Sequence, residues 1–152
     1  MIMRYLVMVL SLALGLTSLN AQSQNEHLNL KKGLAIQGYD PVSYFKSNKA
    51  IEGSKEIQVK HNGATFYFSS NENRNLFIKS PDKYSPEYGG YCAYAMADGD
   101  KVKIDPKTFK LIDNKLYLFY NFRGTNTLEL WNDDESKLLP KADSEWSKII
   151  TN

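Results

Sequence analysis

Cys92 is the single cysteine of the chain and its most reactive kind of side chain. If the alanine-rich stretch that follows it is helical, Cys92 and Met96 lie four residues apart on one helix face. His61 would add an imidazole, provided that the fold brings it close, and two soft sulfurs with one imidazole suit Cu⁺. The sequence therefore contains a candidate copper site made of Cys92, Met96 and His61.

Two other interpretations of Cys92 stay open. With His61 as a base, Cys92 would be the nucleophile of a thiol-dependent enzyme, and Asp40 or Asp105 would be the orienting third group. The chain has no phosphate-cradling glycine loop, no His-Glu-x-x-His motif and no Gly-x-Ser-x-Gly elbow, so the sequence favours a protein that is not an enzyme. A free cysteine is more often a small buried hydrophobe, and the chain would then be an interaction module without a ligand.

The tyrosines suggest a different kind of site. Many of them adjoin glycine or proline, where an amphipathic ring packs well at the edge of a sheet. Tyr39, Asp40, Tyr91 and Cys92 are candidates for the mouth of an aromatic pocket. Ligand sites are mostly apolar with a few polar groups, so this set would bind a small molecule.

Composition limits the classes of protein that the chain can be. Its 152 residues suggest one domain. Its 19 Lys and Arg against 17 Asp and Glu give a net charge of +2, which is too balanced for a nucleic-acid binder. With one cysteine, neither an intramolecular disulfide nor a multi-cysteine zinc site can form.

The first 21 residues have the pattern of an export signal. Arg4 precedes an apolar run over residues 6–16, and a cut after Ala21 follows the small-residue rule. The run is shorter than the roughly 20 residues that span a membrane, so no stable membrane insertion is expected after cleavage. The mature protein would be periplasmic or secreted, with a mobile lead-in over residues 22–32.

The predicted elements define an α+β fold with a small antiparallel sheet from hairpins, short packed helices and a single domain. Alternating residues 57–60 and 64–68 flank Asn62-Gly63, which is a strong hairpin signal. Ser69 and Glu72 have capping-box spacing and predict a helix over residues 70–79. The remaining predictions are a short apolar element at 42–45, a short helix closed by Gly99, strands at 102–104, 110–112 and 116–121, a helix capped by Asn126, and a helix that starts at Pro140 with Ala142, Trp146, Ile149 and Ile150 on one face.

Several short motifs together resemble a family. They are Gly38-Tyr39-Asp40-Pro41-Val42-Ser43-Tyr44-Phe45, His61-Asn62-Gly63, Phe66-Tyr67-Phe68-Ser69-Ser70, Phe77, Pro81-Asp82-Lys83-Tyr84, Tyr88-Gly89-Gly90-Tyr91-Cys92-Ala93, Ile104-Asp105-Pro106 and Leu116-Tyr117-Leu118-Phe119-Tyr120-Asn121. The chain resembles the YHS domain family, and in particular its exported, extended subgroup. The resemblance covers about residues 33–146 and implies a YHS-like domain over 33–152 with a C-terminal helical extension.

The resemblance implies a small metal-binding module, of the kind attached to heavy-metal transporters or to mercury and copper handling proteins. Metal binding in the family is ascribed to three cysteines, whose positions here hold Ser43, Ser69 and Asn73. Hydroxyl and amide groups replace thiolate poorly towards Zn²⁺ or Cu⁺, so no structural zinc is expected. The sequence therefore predicts an exported binding or accessory module of YHS type, with a metal ion or small molecule near Cys92.

Overall fold

Two β-hairpins, one in each half of the chain, form the frame of the α+β fold. The computed structural model describes residues 26–152. The first hairpin joins β3 (Ser54–His61) to β4 (Ala64–Phe68), and the second joins β5 (Asp105–Ile112) to β6 (Lys115–Phe119). The expected export signal and residues 22–25 of the expected lead-in lie outside the described residues.

The first hairpin forms where the sequence predicts it. Asn62 and Gly63 both have positive φ, 47° and 82°, as a two-residue turn that matches the twist of the strands requires. The register pairs His61 with Ala64. Ala64, Phe66 and Phe68 alternate into the core, and β3 begins at residue 54 instead of the predicted 57.

A second pair of short strands extends this sheet. β1 (Leu30–Lys31) runs antiparallel to β2 (Leu34–Ala35), and β2 runs parallel to β4. The sheet is therefore mixed, with the order β1-β2-β4-β3. Residues 30 and 31 were expected to belong to a mobile lead-in. They belong to the fold instead, because Leu28 and Leu30 pack against the core and the Asn29 N–H donates to the Gly89 carbonyl at 2.9 Å.

The second hairpin separates two hydrophobic clusters. Along β6, Leu116 and Leu118 pack in the first cluster, whereas Tyr117 and Phe119 pack in the second. β5 is longer than predicted, since it begins at Asp105. The predicted strand at 102–104 is wrong: this segment has no strand, and the Val102 carbonyl accepts from the Cys92 N–H instead.

Within residues 26–152, six helices pack around the hairpins. They are α1 (Pro41–Ser47), α2 (Asn71–Lys79), α3 (Pro81–Tyr84), α4 (Ala93–Met96), α5 (Thr127–Asp133) and α6 (Glu135–Thr151). The structure also contains two 3₁₀ turns, Ile36–Gly38 and Glu87–Gly90, and a strand pair, β7 (Asn121–Phe122) and β8 (Thr125–Asn126). Among the residues described, no helix is long and apolar enough to cross a membrane.

The ends of three helices show which cap signals hold. Asn126 caps α5 by accepting from the Leu128 N–H, as predicted. Helix α2 is capped by Ser70, which accepts from the Asn73 N–H, and not by the predicted Ser69, whose hydroxyl donates to Asp40. Pro140 does not start a helix. It lies inside α6, which begins a turn earlier because the Asp134 carbonyl accepts from the following backbone N–H groups.

The last helix packs its apolar face on the second cluster. Ala142 is fully buried, and Trp146 and Ile149 are partly buried against the same cluster. Ile150, predicted on this face, is 51% exposed. The C-terminal extension thus continues the core and closes it beside β6.

Candidate functional site

Cys92 lies in the interior as a packed side chain. It is fully buried, and its backbone forms an isolated bridge with Leu118. Its Sγ is 3.3 Å from Thr127 Oγ1 and accepts from the Tyr120 N–H at 3.4 Å. These contacts are typical of a structural cysteine with weak hydrogen bonds, and they place no imidazole beside the sulfur.

The other two residues of the candidate copper site have different surroundings. The Met96 N–H donates to the Cys92 carbonyl, so the helical turn between them exists, but Met96 is fully buried in the second cluster. His61 lies at the end of β3, with its ring edge-on to Phe77 and its Nε2 3.8 Å from Asp82 Oδ1. Between residues 26 and 152, no group of three or more His, Cys, Asp or Glu residues could hold a metal. That set excludes methionine, so the copper site of Cys92, Met96 and His61 stays a prediction.

The four residues expected at the mouth of an aromatic pocket also have separate partners. The Tyr39 hydroxyl donates to Glu52 at 3.2 Å, next to α1. The Tyr91 hydroxyl donates to the Leu28 carbonyl at 3.2 Å, next to α4. Asp40 is fully buried beneath the N-terminus of α1. The expected pocket does not follow from these contacts, since each side chain is engaged elsewhere.

Asp40 is the centre of a buried hydrogen-bond network. Its Oδ1 accepts from the Val42 N–H at 2.9 Å, which caps α1. Its Oδ2 accepts from the Ser69 N–H at 2.8 Å, the Ser69 hydroxyl at 2.6 Å and the Asn73 amide at 2.7 Å. A carboxylate has about four lone-pair sites, two on each oxygen. Oδ2 is therefore crowded by three donors, whereas Oδ1 accepts from one.

The same network contains all three positions at which the YHS resemblance places metal-binding cysteines. Ser69 and Asn73 donate to Asp40, and the Ser43 hydroxyl lies 2.7 Å from the Asp40 carbonyl oxygen and accepts from the Ile51 N–H at 3.3 Å. The side chains at these positions are thus engaged in hydrogen bonds within the protein. What this cluster can do chemically is to fasten α1 and α2 to the end of β4.

A cavity of about 140 Å³ lies beside His61, at the end of β3. It is bounded by the β1–β2 segment, the turn of the first hairpin and the loop before Gly90. Its lining is mostly apolar, and the residues that form it are Leu28, Asn29, Leu30, Ala35, Ile36, His61, Asn62, Ala64, Phe66, Asp82, Ser85, Pro86, Gly89 and Gly90. An apolar hollow with few polar groups has the composition of a small-molecule site.

Few polar atoms of the lining are free to bind a ligand. The Asn29 amide donates to the Gly90 carbonyl and the Ser85 hydroxyl donates to the Pro81 carbonyl, both at 2.9 Å. The Nε2 atom of His61 has no hydrogen-bond partner within residues 26–152, but it is buried and presents almost no surface to a neighbouring group. The character of the cavity therefore comes from its apolar side chains.

Two strained backbone segments border the same cavity. Ile36 and Gln37 have φ of 51° and 54°, and Tyr88 and Gly89 have φ of 55° and 61°. Positive φ is a marked outlier for a β-branched residue such as Ile36. A side chain at Gly89 would collide with the His27 carbonyl. Strain of this kind costs about 1–3 kcal/mol per residue and tends to cluster at ligand sites.

Comparison with known proteins identifies no relative. No family model matches the chain, no curated protein matches it, and no solved structure matches it. The geometry of the cavity therefore has to support any functional interpretation without help from a homologue.

Sequence reasoning missed the cavity but selected one of its lining residues, His61, as a candidate metal ligand. Gly89 and Gly90 belong to the same lining. In the structure Gly89 approaches residues 27–29. No local pattern connects these glycines with His61, because the cavity forms only when three separate segments meet.

Proposed function

We propose that this chain is an exported binding module of YHS type whose ligand is a small molecule held in the cavity beside His61. The observation that carries the proposal is a mostly apolar cavity of about 140 Å³ between the β1–β2 segment, the turn of the first hairpin and the loop before Gly90. Export is supported by the pattern of the first 21 residues, and the family by the motifs over residues 33–146. A module that binds and presents a ligand needs no nucleophile.

The size of the cavity limits the ligand. An apolar cavity of about 150 Å³ holds one benzene molecule, and this cavity measures about 140 Å³. A single ring with one small substituent fits, whereas a nucleotide or a peptide side chain with its backbone does not. The expected ligand is therefore a monocyclic or comparably small molecule.

A thiol-dependent enzyme is the weaker candidate. Cys92 is fully buried, and the groups within hydrogen-bond distance of its sulfur are Thr127 and Tyr120. A nucleophilic thiol needs a base within reach and access to its substrate. Neither condition is supported by these contacts.

The test is a titration of ¹⁵N-labelled mature protein with cyclohexanone, followed by amide chemical shifts. Binding at the cavity should shift the amides of residues 28–36, 61–66 and 85–90 more than the rest. Ala64→Leu, which fills a buried lining position, should abolish these shifts. Ala50→Leu makes the same change at a half-buried site outside the lining and should leave them unchanged.

Two results would contradict the proposal. The first is the absence of saturable shifts at the cavity at millimolar ligand, with the protein folded. The second is a set of shifts that survives Ala64→Leu, because the binding site would then lie elsewhere.

A further inference from the structure

We infer that the cavity takes its ligand ring first, so that an apolar ring fills the interior and the polar group of the ligand stays in water at a mouth between Asn62 and Asp82. This inference rests on the proposed function and specifies the chemical class of its ligand. The class is a single apolar ring with one polar group on a short arm. It follows from the hydrogen bonds within the lining and from the exposure of the lining residues.

Polar groups of the inner lining are already hydrogen-bonded within the protein. The Asn29 backbone N–H and side-chain amide donate to the carbonyls of Gly89 and Gly90, both at 2.9 Å. The Leu28 carbonyl accepts from the Tyr91 hydroxyl at 3.2 Å. A hydroxyl or carbonyl that entered the cavity would lose its hydrogen bonds to water and gain none from these groups. An apolar ring loses nothing in the same place, because an apolar cavity of this size holds a hydrocarbon ring.

Exposure places the mouth of the cavity at two residues. Among the lining residues, Asn62 and Asp82 are exposed, whereas the others are buried or half-buried. Asn62 belongs to the turn of the first hairpin and Asp82 to α3, and these elements adjoin here, since His61 Nε2 lies 3.8 Å from Asp82 Oδ1. The buried residues of the lining are Ala35, Ile36, Ala64, Phe66 and Gly90. A ligand that enters at the mouth therefore carries its apolar end inward and leaves its polar end between two hydrated side chains.

A matched pair of ligands tests the apolar interior. 4-Fluorobenzyl alcohol and 4-hydroxybenzyl alcohol share a ring and a hydroxymethyl arm, and they differ in the group at the opposite end of the ring, which enters first. Fluorine needs no hydrogen bond, whereas a buried hydroxyl without a partner weakens binding by about fivefold to 150-fold. We expect the hydroxy compound to bind weaker than the fluoro compound by that factor.

A second pair tests the position of the polar arm. Benzyl alcohol differs from toluene in one hydroxyl on the arm. If the arm lies at the mouth, this hydroxyl keeps its water on binding. The two affinities should then differ by less than the roughly fivefold change that one lost hydrogen bond produces.

A charge reversal assigns the mouth to Asp82. Benzylammonium carries its charge on the arm, so Asp82→Lys should weaken its binding at low salt by about twofold to tenfold, the effect of an exposed charge pair. Toluene, which has no charge, should bind both proteins equally. Glu56→Lys makes the same change at an exposed carboxylate outside the lining and should leave both affinities unchanged.

The outcomes separate this inference from the proposed function. Binding is measured from the amide shifts of residues 28–36, 61–66 and 85–90, and circular dichroism verifies that each variant is folded. The inference is wrong, while the binding function stands, if 4-hydroxybenzyl alcohol binds less than about fivefold weaker than its fluoro analogue, or if benzyl alcohol binds at least about fivefold weaker than toluene. It is also wrong if Asp82→Lys leaves the affinity for benzylammonium unchanged. If none of these molecules binds at the cavity, the proposed function itself fails.

Discussion

Replacing Asp40 tests the buried hydrogen-bond network that it forms with Ser69 and Asn73. Asp40→Ala removes the acceptor of the Val42 N–H, which caps α1, and of the Asn73 amide, whose residue is 7% exposed. Loss of a cap costs about 1 kcal/mol, and an unpaired buried donor costs about 1–3 kcal/mol. We expect the free energy of unfolding to fall by about 2–4 kcal/mol, a large part of the roughly 5–15 kcal/mol typical of a domain.

Asp40→Asn separates the cap from the carboxylate network. Asparagine caps a helix about as well as aspartate, but its NH₂ group would face the donors of Ser69 and Asn73 in place of Oδ2. Asp40→Asn should therefore lower the free energy of unfolding by most of the amount that Asp40→Ala does. Ser70→Ala is the matched control, because it removes the side-chain cap of α2 without touching the carboxylate, and it should cost about 1 kcal/mol.

Urea unfolding followed by tryptophan fluorescence measures these differences. A double-mutant cycle of Asp40→Ala with Asn73→Ala should give a coupling energy above about 0.5 kcal/mol, since the two side chains share a hydrogen bond. The reasoning is refuted if Asp40→Asn is as stable as the unmodified protein. It is equally refuted if the losses of the two single variants simply add.

Further predictions concern a carboxyl, a thiol, a tyrosine and metal content. Burial raises the pKa of the Glu87 carboxyl above its ordinary range, and Lys115 only partly opposes this. The protonated Glu87 carboxyl therefore stabilises the folded protein fully at pH values below its pKa in the unfolded chain. This stabilisation is lost as the pH rises through its pKa in the folded protein. In urea unfolding, Glu87→Gln should remove that loss at pH values above the ordinary range of a glutamate carboxyl; an unchanged slope of the free energy of unfolding against pH would contradict it. Cys92 should react with iodoacetamide only as fast as the protein unfolds, because its thiol is buried, and rapid alkylation of folded protein would disprove this. Tyr88→Phe should cost about 1–2 kcal/mol in the same unfolding assay, since the hydroxyl donates to Asp143 at 2.7 Å, and a cost near zero would count against it. The melting temperature should not change in strong chelator, because structural zinc would contribute folding free energy directly; a large drop would reveal such a metal.

Elements that depend on neighbouring residues are the ones that the sequence predicts well. The first hairpin follows from alternation on both sides of Asn62-Gly63, and α2 begins within one residue of its predicted start, although Ser70 and not Ser69 caps it. Both signals act within a few residues. The second hairpin likewise follows its local pattern, although its exact start at residue 105 does not.

Features that depend on distant partners escape local reasoning. From the sequence alone, Asp40 looks like a turn residue before a proline. In the structure its carboxylate accepts hydrogen bonds from residues that lie 29 and 33 positions further along the chain. The segment 102–104 is apolar enough for a strand, but its Val102 carbonyl is paired with Cys92. The trio of Cys92, Met96 and His61 is chemically reasonable as a set. Its members contact different groups, because types and spacing do not determine where a hairpin end meets a helix.

A crystal structure of the protein soaked with cyclohexanone tests the proposed binding site most directly. We expect one molecule in the cavity, with its ring in contact with Leu30 and Phe66. A cavity that holds only water at a saturating concentration of cyclohexanone, or a molecule bound away from these lining residues, would contradict the proposal.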